Sequence, residues 1–377
     1  MDNIKTGHER ISGIDIVKIL AMFLVTALHI TGIGGAVSAA VNPTAKFLLS
    51  AIEGISFCCI NLFALSTGFL CFGRKTRLSR LLQLWIQVVF WALAANIGPA
   101  LYLKDMSVLT ETPFVRLFVI SFGTYWYFTA YFALFFFIPL LNSAVEKLSE
   151  KHFIAFSLCT AVIFGVLPFL FNNDLFVLNK GYSFVWLSYL YIIGAGFRKF
   201  NLVQRLKTPF SAIICIVCAA VQSCVAYISQ LRKITFLGIS YSDMYNKYNF
   251  IFTLILSVSL FALISKIKIQ KPKMQNFIKI VASASFSVYL IQCNHSVMRE
   301  FIEKHFMFIG SYSPVAAAAA AIGISAAVYI GLTVLGILQD ALFRLCRIDK
   351  LCVLFERLLK RIFSGLYSKV LCKCVEN

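Results

Sequence analysis

Long apolar runs separated by short polar links divide the chain into ten segments, at 11–34, 45–73, 81–103, 124–142, 153–171, 183–200, 208–230, 246–267, 277–297 and 314–338. A helix needs roughly 20 mainly apolar residues to cross a bilayer, so the pattern predicts ten transmembrane helices in an all-α polytopic bundle. The first segment stands apart because it carries Asp15, Lys18 and His29. Ionisable side chains inside a spanning helix are costly enough to mark candidate functional positions. Lys18 and His29 fall about 20° apart around a helix and about 16 Å apart along it. Asp15 lies one turn before Lys18. That face predicts protein or water against it rather than lipid.

The second segment contains Glu53, then NLFALSTGFL (Asn61 to Leu70), whose Ser66, Thr67 and Gly68 permit close helix approach. Two readings of Glu53 stay open: it faces a water-filled cavity or a cation, or it lies wet at the outer interface. Residues 104–123, interrupted by Pro113, predict an outer loop with a short interfacial helix. The fourth segment opens with TYWYFTAYF, an aromatic belt of the kind that anchors a helix at an interface. Asn172, Asn173 and Asp174, and Tyr241, Asp243 and Tyr245, are read as wet loop residues rather than ligand contacts. In the ninth segment Ser285, Ser287 and Tyr289 are polar within a buried helix, and the last opens on a small-residue run, Ala316 to Ala321. From Ala341 onward Leu351, Phe355, Leu358, Ile362, Leu366 and Val370 share one stripe opposite Lys and Arg. This predicts a helix lying on the anionic inner leaflet. The chain thus divides into a membrane domain, 1–340, and a basic amphipathic tail, 341–377.

Composition agrees: 60% of the 377 residues are hydrophobic and 14% charged, against about 45–50% and 25% in soluble domains. The net charge of +19 is a topology signal, because its distribution is lopsided. With the N-terminus inside, 25 of the 35 Lys and Arg fall on inner segments and 9 on outer ones, with Lys18 inside a span. That bias is the positive-inside pattern. It predicts a multi-pass cell-membrane protein with both termini cytoplasmic, and no nucleic-acid partner. Most of the 12 cysteines lie inside spans and the rest in the tail, which argues against a disulfide framework. The Cys215–Cys218 pair has no acidic or histidine neighbours and reads as packing; no metal site is expected. AVSAA at 36–40 resembles a signal-cleavage site, but the preceding run is too long and is interrupted by Asp15 and Lys18, so a retained first span is expected.

Three features together resemble the integral-membrane acyltransferase-3 family, which O-acylates surface glycans. They are Arg10–Ile14–Asp15–Lys18–His29; NLFALSTGFL followed by Arg77-Leu-Ser-Arg80; and the pair WYFTAYFALFFFIP (Trp126 to Pro139) and SFSVYLIQ (Ser285 to Gln292). The resemblance runs from Arg10 to about residue 340. Three positions depart from it: Lys18 stands where the family has Arg, Gln292 where it often has His, and Gln83 where Pro is common. Lys keeps the charge and loses the planar fork.

The resemblance implies an O-acyltransferase, most simply an O-acetyltransferase, moving an acyl group from cytoplasmic acetyl-CoA to a hydroxyl of an extracytoplasmic polysaccharide or lipid-linked saccharide. Such transfer needs a base near the hydroxyl and a donor near the developing oxyanion. His29 is the implied base, since imidazole is largely neutral at physiological pH. Arg77 and Arg80 are implied to hold the phosphates of coenzyme A. Asp15, Lys18, Glu53, Asn61, Trp126, Ser285 and Tyr289 complete the candidate substrate and donor contacts. The rival readings are a glycan or lipid-linked-saccharide flippase and a glycan polymerase, neither of which would use coenzyme A.

Overall fold

A computed structural model describes residues 11–110, 118–174, 176–231, 235–236, 239–240 and 247–375. Arg10, Pro113, Tyr241, Asp243 and Tyr245 lie outside the described residues. The principal helices are α1 (Ser12–Leu28), α2 (Pro43–Ser56), α3 (Cys59–Cys71), α4 (Leu78–Ala94), α5 (Ile97–Leu103), α6 (Trp126–Lys147), α7 (Glu150–Gly165), α8 (Phe184–Lys199), α9 (Thr208–Leu231), α10 (Ile251–Ile264), α11 (Pro272–Gln292), α12 (Pro314–Leu345) and α13 (Ile348–Val375). A two-residue antiparallel pair, Thr235–Phe236 with Ile239–Ser240, is the strand content among the described residues.

Among the described residues, eight stretches are long and apolar enough to cross a membrane. They match eight of the ten expected segments. The sixth and eighth become α8 and α10, of 16 and 14 residues. At 1.5 Å per residue these are about 24 and 21 Å long, short of a hydrocarbon core about 30 Å thick. Many of their residues are buried inside the bundle, and side-chain bonds tie their ends to neighbouring helices. Asn61 Nδ2 donates to the Tyr248 carbonyl just before α10, at 2.9 Å. Lys199, at the end of α8, donates to the Val145, Glu146 and Leu148 carbonyls at 3.1, 2.7 and 2.6 Å. That ammonium covers the last carbonyls of α6, where a cation also suits the helix dipole.

Helix α3 forms the centre, packed by α1, α8 and α10. Of the small residues expected to permit close approach in this helix, Gly68 does so. A Cβ on Gly68 would stand 2.0 Å from the Tyr191 carbonyl oxygen of α8, and one on Gly194 would stand 2.1 Å from the Leu65 carbonyl oxygen of α3. The two backbones therefore touch at reciprocal glycines. The cysteines of the described side chains are free thiols. Helix α13 turns Cys352 and Glu356 inward, while Leu351, Phe355, Leu358 and Ile362 of the apolar stripe remain exposed and uncovered by protein. Leu366 and Val370 lie outside the described side chains.

Candidate functional site

The site begins at the end of α1. After Leu28 the chain widens into a π-helical turn, His29–Ile33, closed by the Gly34 amide donating to the His29 carbonyl at 2.7 Å. Such turns redirect side chains and occur often at functional sites. His29 is only partly covered, yet its Nδ1 is sealed from solvent and has no hydrogen-bond partner among the described residues. The Gln292 amide, at the end of α11, lies against the imidazole and donates to Met22 Sδ at 3.3 Å. His295, three residues further on, is exposed.

Glu53 comes from α2 to the same place. Its residue is 7% exposed, which decides between the two readings of it: the carboxyl is inside the protein rather than wet. It packs so tightly on the π turn that a Cβ on Gly32 would fall 2.6 Å from Oε1. Oε2 has no partner among the described residues, and neither does the hydroxyl of Ser50, one turn earlier. A buried carboxyl of α2 therefore packs on the π turn that also carries the His29 imidazole, and both groups have open valences. Groups like these are expensive unless a ligand or water meets them.

The opposite end lies on the basic face, beside the 74–80 link. A cavity of ≈1030 Å³ is lined there by Arg74, Lys75, Arg77, Arg80, Lys279 and Arg344 against the carboxylates of Asp340 and Asp349. Arg77 and Arg80, both expected here, are joined by four cations that alone read as topology charges. The inner wall is formed by Gln87, Tyr131 and Phe135. Gln87 Nε2 donates to Ser287 Oγ and to Gln339 Oε1, both at 2.8 Å, in a buried cluster shared by α4, α11 and α12.

A row of partly accessible side chains forms a seam in the middle of the bundle. Phe63, Thr67 and Cys71 recur every fourth residue along one face of α3, and Tyr127 and Tyr131 do so on α6. Arg80 and Lys18 reach Cys71 electrostatically, and Arg80 also reaches Tyr131. Thr67 lies against the Tyr127 hydroxyl, and the Phe63 and Tyr127 rings lie 6.3 Å apart. The Tyr127 amide, an orphan donor in the first turn of α6, donates to the Tyr289 hydroxyl at 3.3 Å. Tyr289 stands one turn before Cys293, whose neighbour Gln292 touches His29.

The remaining candidates fall around this seam in different ways. Asp15 is buried and Lys18 half-buried, both engaged, at the basic end. Asn61 does not join the open groups. Its Nδ2 holds Tyr248 and its Oδ1 accepts from Trp186 Nε1 at 2.9 Å, so both ends of the amide are used by the fold. Trp126 stacks on Tyr248 at 5.9 Å and packs on Tyr182 at 4.5 Å, in an aromatic wall beside Asn61's partners. Ser285 faces the Tyr329 hydroxyl of α12. Gln87, Tyr131 and Lys279 are cavity residues that sequence reading did not single out. The one available signal was Gln87, an amide inside an apolar span.

The arrangement offers a cationic chamber able to take a polyphosphate at one end and, at the other, a π turn carrying a partly open imidazole with a buried carboxyl packed on it. A family model described as an acyltransferase domain (Acyl_transf_3) matches residues 11–336. No curated protein and no solved structure matches the chain.

Proposed function

The chain belongs to the acyltransferase-3 family of membrane acyltransferases, and from that premise we propose that it carries an acetyl group from acetyl-CoA on the basic, cytoplasmic face to a saccharide hydroxyl arriving at the opposite face. The observation that carries this reading is the chamber lined by six cations, whose wall residues Cys71 and Tyr131 belong to the seam of side chains between α3 and α6. Coenzyme A is a multiply charged phosphate ester on a long, thin pantetheine arm. Arg77 and Arg80 grip its phosphates, with Lys279 and Arg344 opposite, since guanidinium and phosphate form paired, charge-assisted bonds. The arm runs between α3 and α6, past Thr67 and Tyr127, bringing the thioester carbonyl toward His29.

At that end the acceptor hydroxyl loses its proton to His29 as its oxygen attacks the thioester carbon. The C–S bond breaks, the thiolate takes up a proton, and the products are an O-acetyl ester and free coenzyme A. Gln292 holds the imidazole, and Glu53, packed on the same π turn, favours the imidazolium that forms through the negative charge it brings to that turn. Asp15 and Lys18 line the entry. Tyr289 fixes the first turn of α6, while Asn61, Trp126 and Ser285 hold the walls. The resemblance to surface-glycan acyltransferases supports a saccharide acceptor, and the cationic chamber supports a coenzyme A thioester as donor.

His29→Ala in the full-length protein tests the reading. Acetyl transfer from acetyl-CoA, followed as acyl mass on cell-surface glycans, disappears while the protein stays inserted and keeps its affinity for acetyl-CoA. Undiminished acetylation by that variant removes His29 from the reaction.

A further inference from the structure

Helix α4, which carries the Arg77-x-x-Arg80 segment, begins without a cap of its own. The residue at its N-cap position is Arg77, in extended conformation, with no side-chain bond to the first turn. Arginine has no acceptor to offer the orphan amides there. The acceptor comes instead from the far end of the chain. Glu356 of α13 takes the Ser79 amide on Oε2 at 3.0 Å, and the Ser79 hydroxyl lies against the same carboxyl. Glu356 is one of the few charged residues the fold buries, at 7% exposure, and Lys360 Nζ holds its other oxygen at 2.7 Å. Those bonds keep the Glu356 carboxyl down at about 2, so it stays ionised at any physiological pH. An anion at a helix N-terminus also meets the positive end of the dipole.

Ser79 lies between Arg77 and Arg80, and both arginines line the cationic chamber. Two more lining residues, Arg344 and Asp349, belong to the end of α12 and the start of α13. The family match stops at residue 336, so the carboxylate that organises the arginine segment lies outside the matched domain. We propose that Glu356 is a positioning residue for donor binding: as a remote N-cap of α4, it fixes the backbone between Arg77 and Arg80 so that both guanidiniums face the phosphates of coenzyme A. The tail is thereby part of the donor site rather than only a membrane anchor. This inference rests on the donor-site reading of the chamber given above.

The test is equilibrium binding of two probes, acetyl-CoA and acetyl-pantetheine, to the purified full-length protein. The second probe lacks the phosphates that the arginines would hold. Glu356→Gln keeps one acceptor oxygen but removes the charge that meets the helix dipole and Lys360, so it weakens acetyl-CoA by about fivefold, the upper size of such a dipole term at a surface, and leaves acetyl-pantetheine unchanged. Glu356→Asp recovers part of the loss. Ser79→Pro removes the donor at a first-turn position where proline is tolerated, and it reproduces the same selective loss should Glu356→Gln fail to fold. Equal weakening of both probes, or none of either, overturns the inference. Arg77→Ala and Arg80→Ala separate the two levels. If they weaken acetyl-CoA and the Glu356 and Ser79 variants do not, only the positioning role falls. If they leave acetyl-CoA untouched, the donor-site reading falls and takes this inference with it.

Discussion

Replacing Gly32 by Ala probes the pairing of Glu53 with the His29 turn through a single added methyl. The new Cβ would stand 2.6 Å from Glu53 Oε1, whereas ordinary contact begins near 3.4 Å. The carboxyl must therefore retreat by about 0.8 Å, the difference between those two distances. The displaced atom is the far end of a side chain with rotatable bonds, so the fold can absorb the methyl, and the cost falls on the position of the carboxyl. Misplacing a catalytic group by about 1 Å is worth up to about 100-fold in rate. A loss of roughly 10- to 100-fold in acetyl transfer is expected, or about 1.4 to 2.7 kcal/mol of barrier. The assay follows labelled acetyl from acetyl-CoA into saccharide in membranes, beside the thermal midpoint of the purified protein. Gly331→Ala is the control, because a Cβ there meets nothing within 4 Å. Wild-type transfer by a stably folded Gly32→Ala protein would refute the placement of Glu53 in the reaction. Collapse of the protein would show that the carboxyl cannot yield and that its role is structural.

Two further outcomes follow from the geometry. Gly68→Ala drives a methyl to 2.0 Å from a backbone oxygen, which cannot swing aside as the Glu53 carboxyl can. Overpacking of this kind costs about 1–3 kcal/mol or more, so the thermal midpoint of the purified protein falls, and an unchanged midpoint would contradict the α3–α8 contact. Acetyl-CoA at about 100 times its dissociation constant raises stability by roughly 2.7 kcal/mol in the wild-type protein. The same addition does much less for a variant lacking both Arg77 and Arg80; an equal shift in the two proteins would place the donor elsewhere.

Much of the architecture is legible in the order of residues because lipid leaves few choices: backbone polar groups must be satisfied within each span. Helices α1 to α4 and α12 follow the apolar runs closely. The rule weakens for α8 and α10, whose runs look like spans but whose ends are tied to other helices, α8 through its own Lys199 to the end of α6 and α10 through Asn61 of α3. The same limit applies to the site. His29 and Arg80 announce themselves by charge in an apolar setting or by motif, but a polar residue in a span is ambiguous until its partners are known. Asn61 turns out to be consumed by Tyr248 and Trp186, while Glu53, equally polar in the pattern, is left open. The π turn after Leu28 has no periodic signature over five residues. The bond from Glu356 to Ser79 spans 277 positions, and no local pattern foretells such a contact.

The central claim is that donor and acceptor meet across the membrane, and sidedness tests it most directly. The protein is reconstituted into sealed vesicles in one orientation, with labelled acetyl-CoA supplied on the face bearing Arg77 and Arg80 and the saccharide acceptor supplied only on the other. Label appearing on the acceptor, and disappearing when the two substrates exchange sides, is the result predicted. Transfer that requires both substrates on the same side would contradict it.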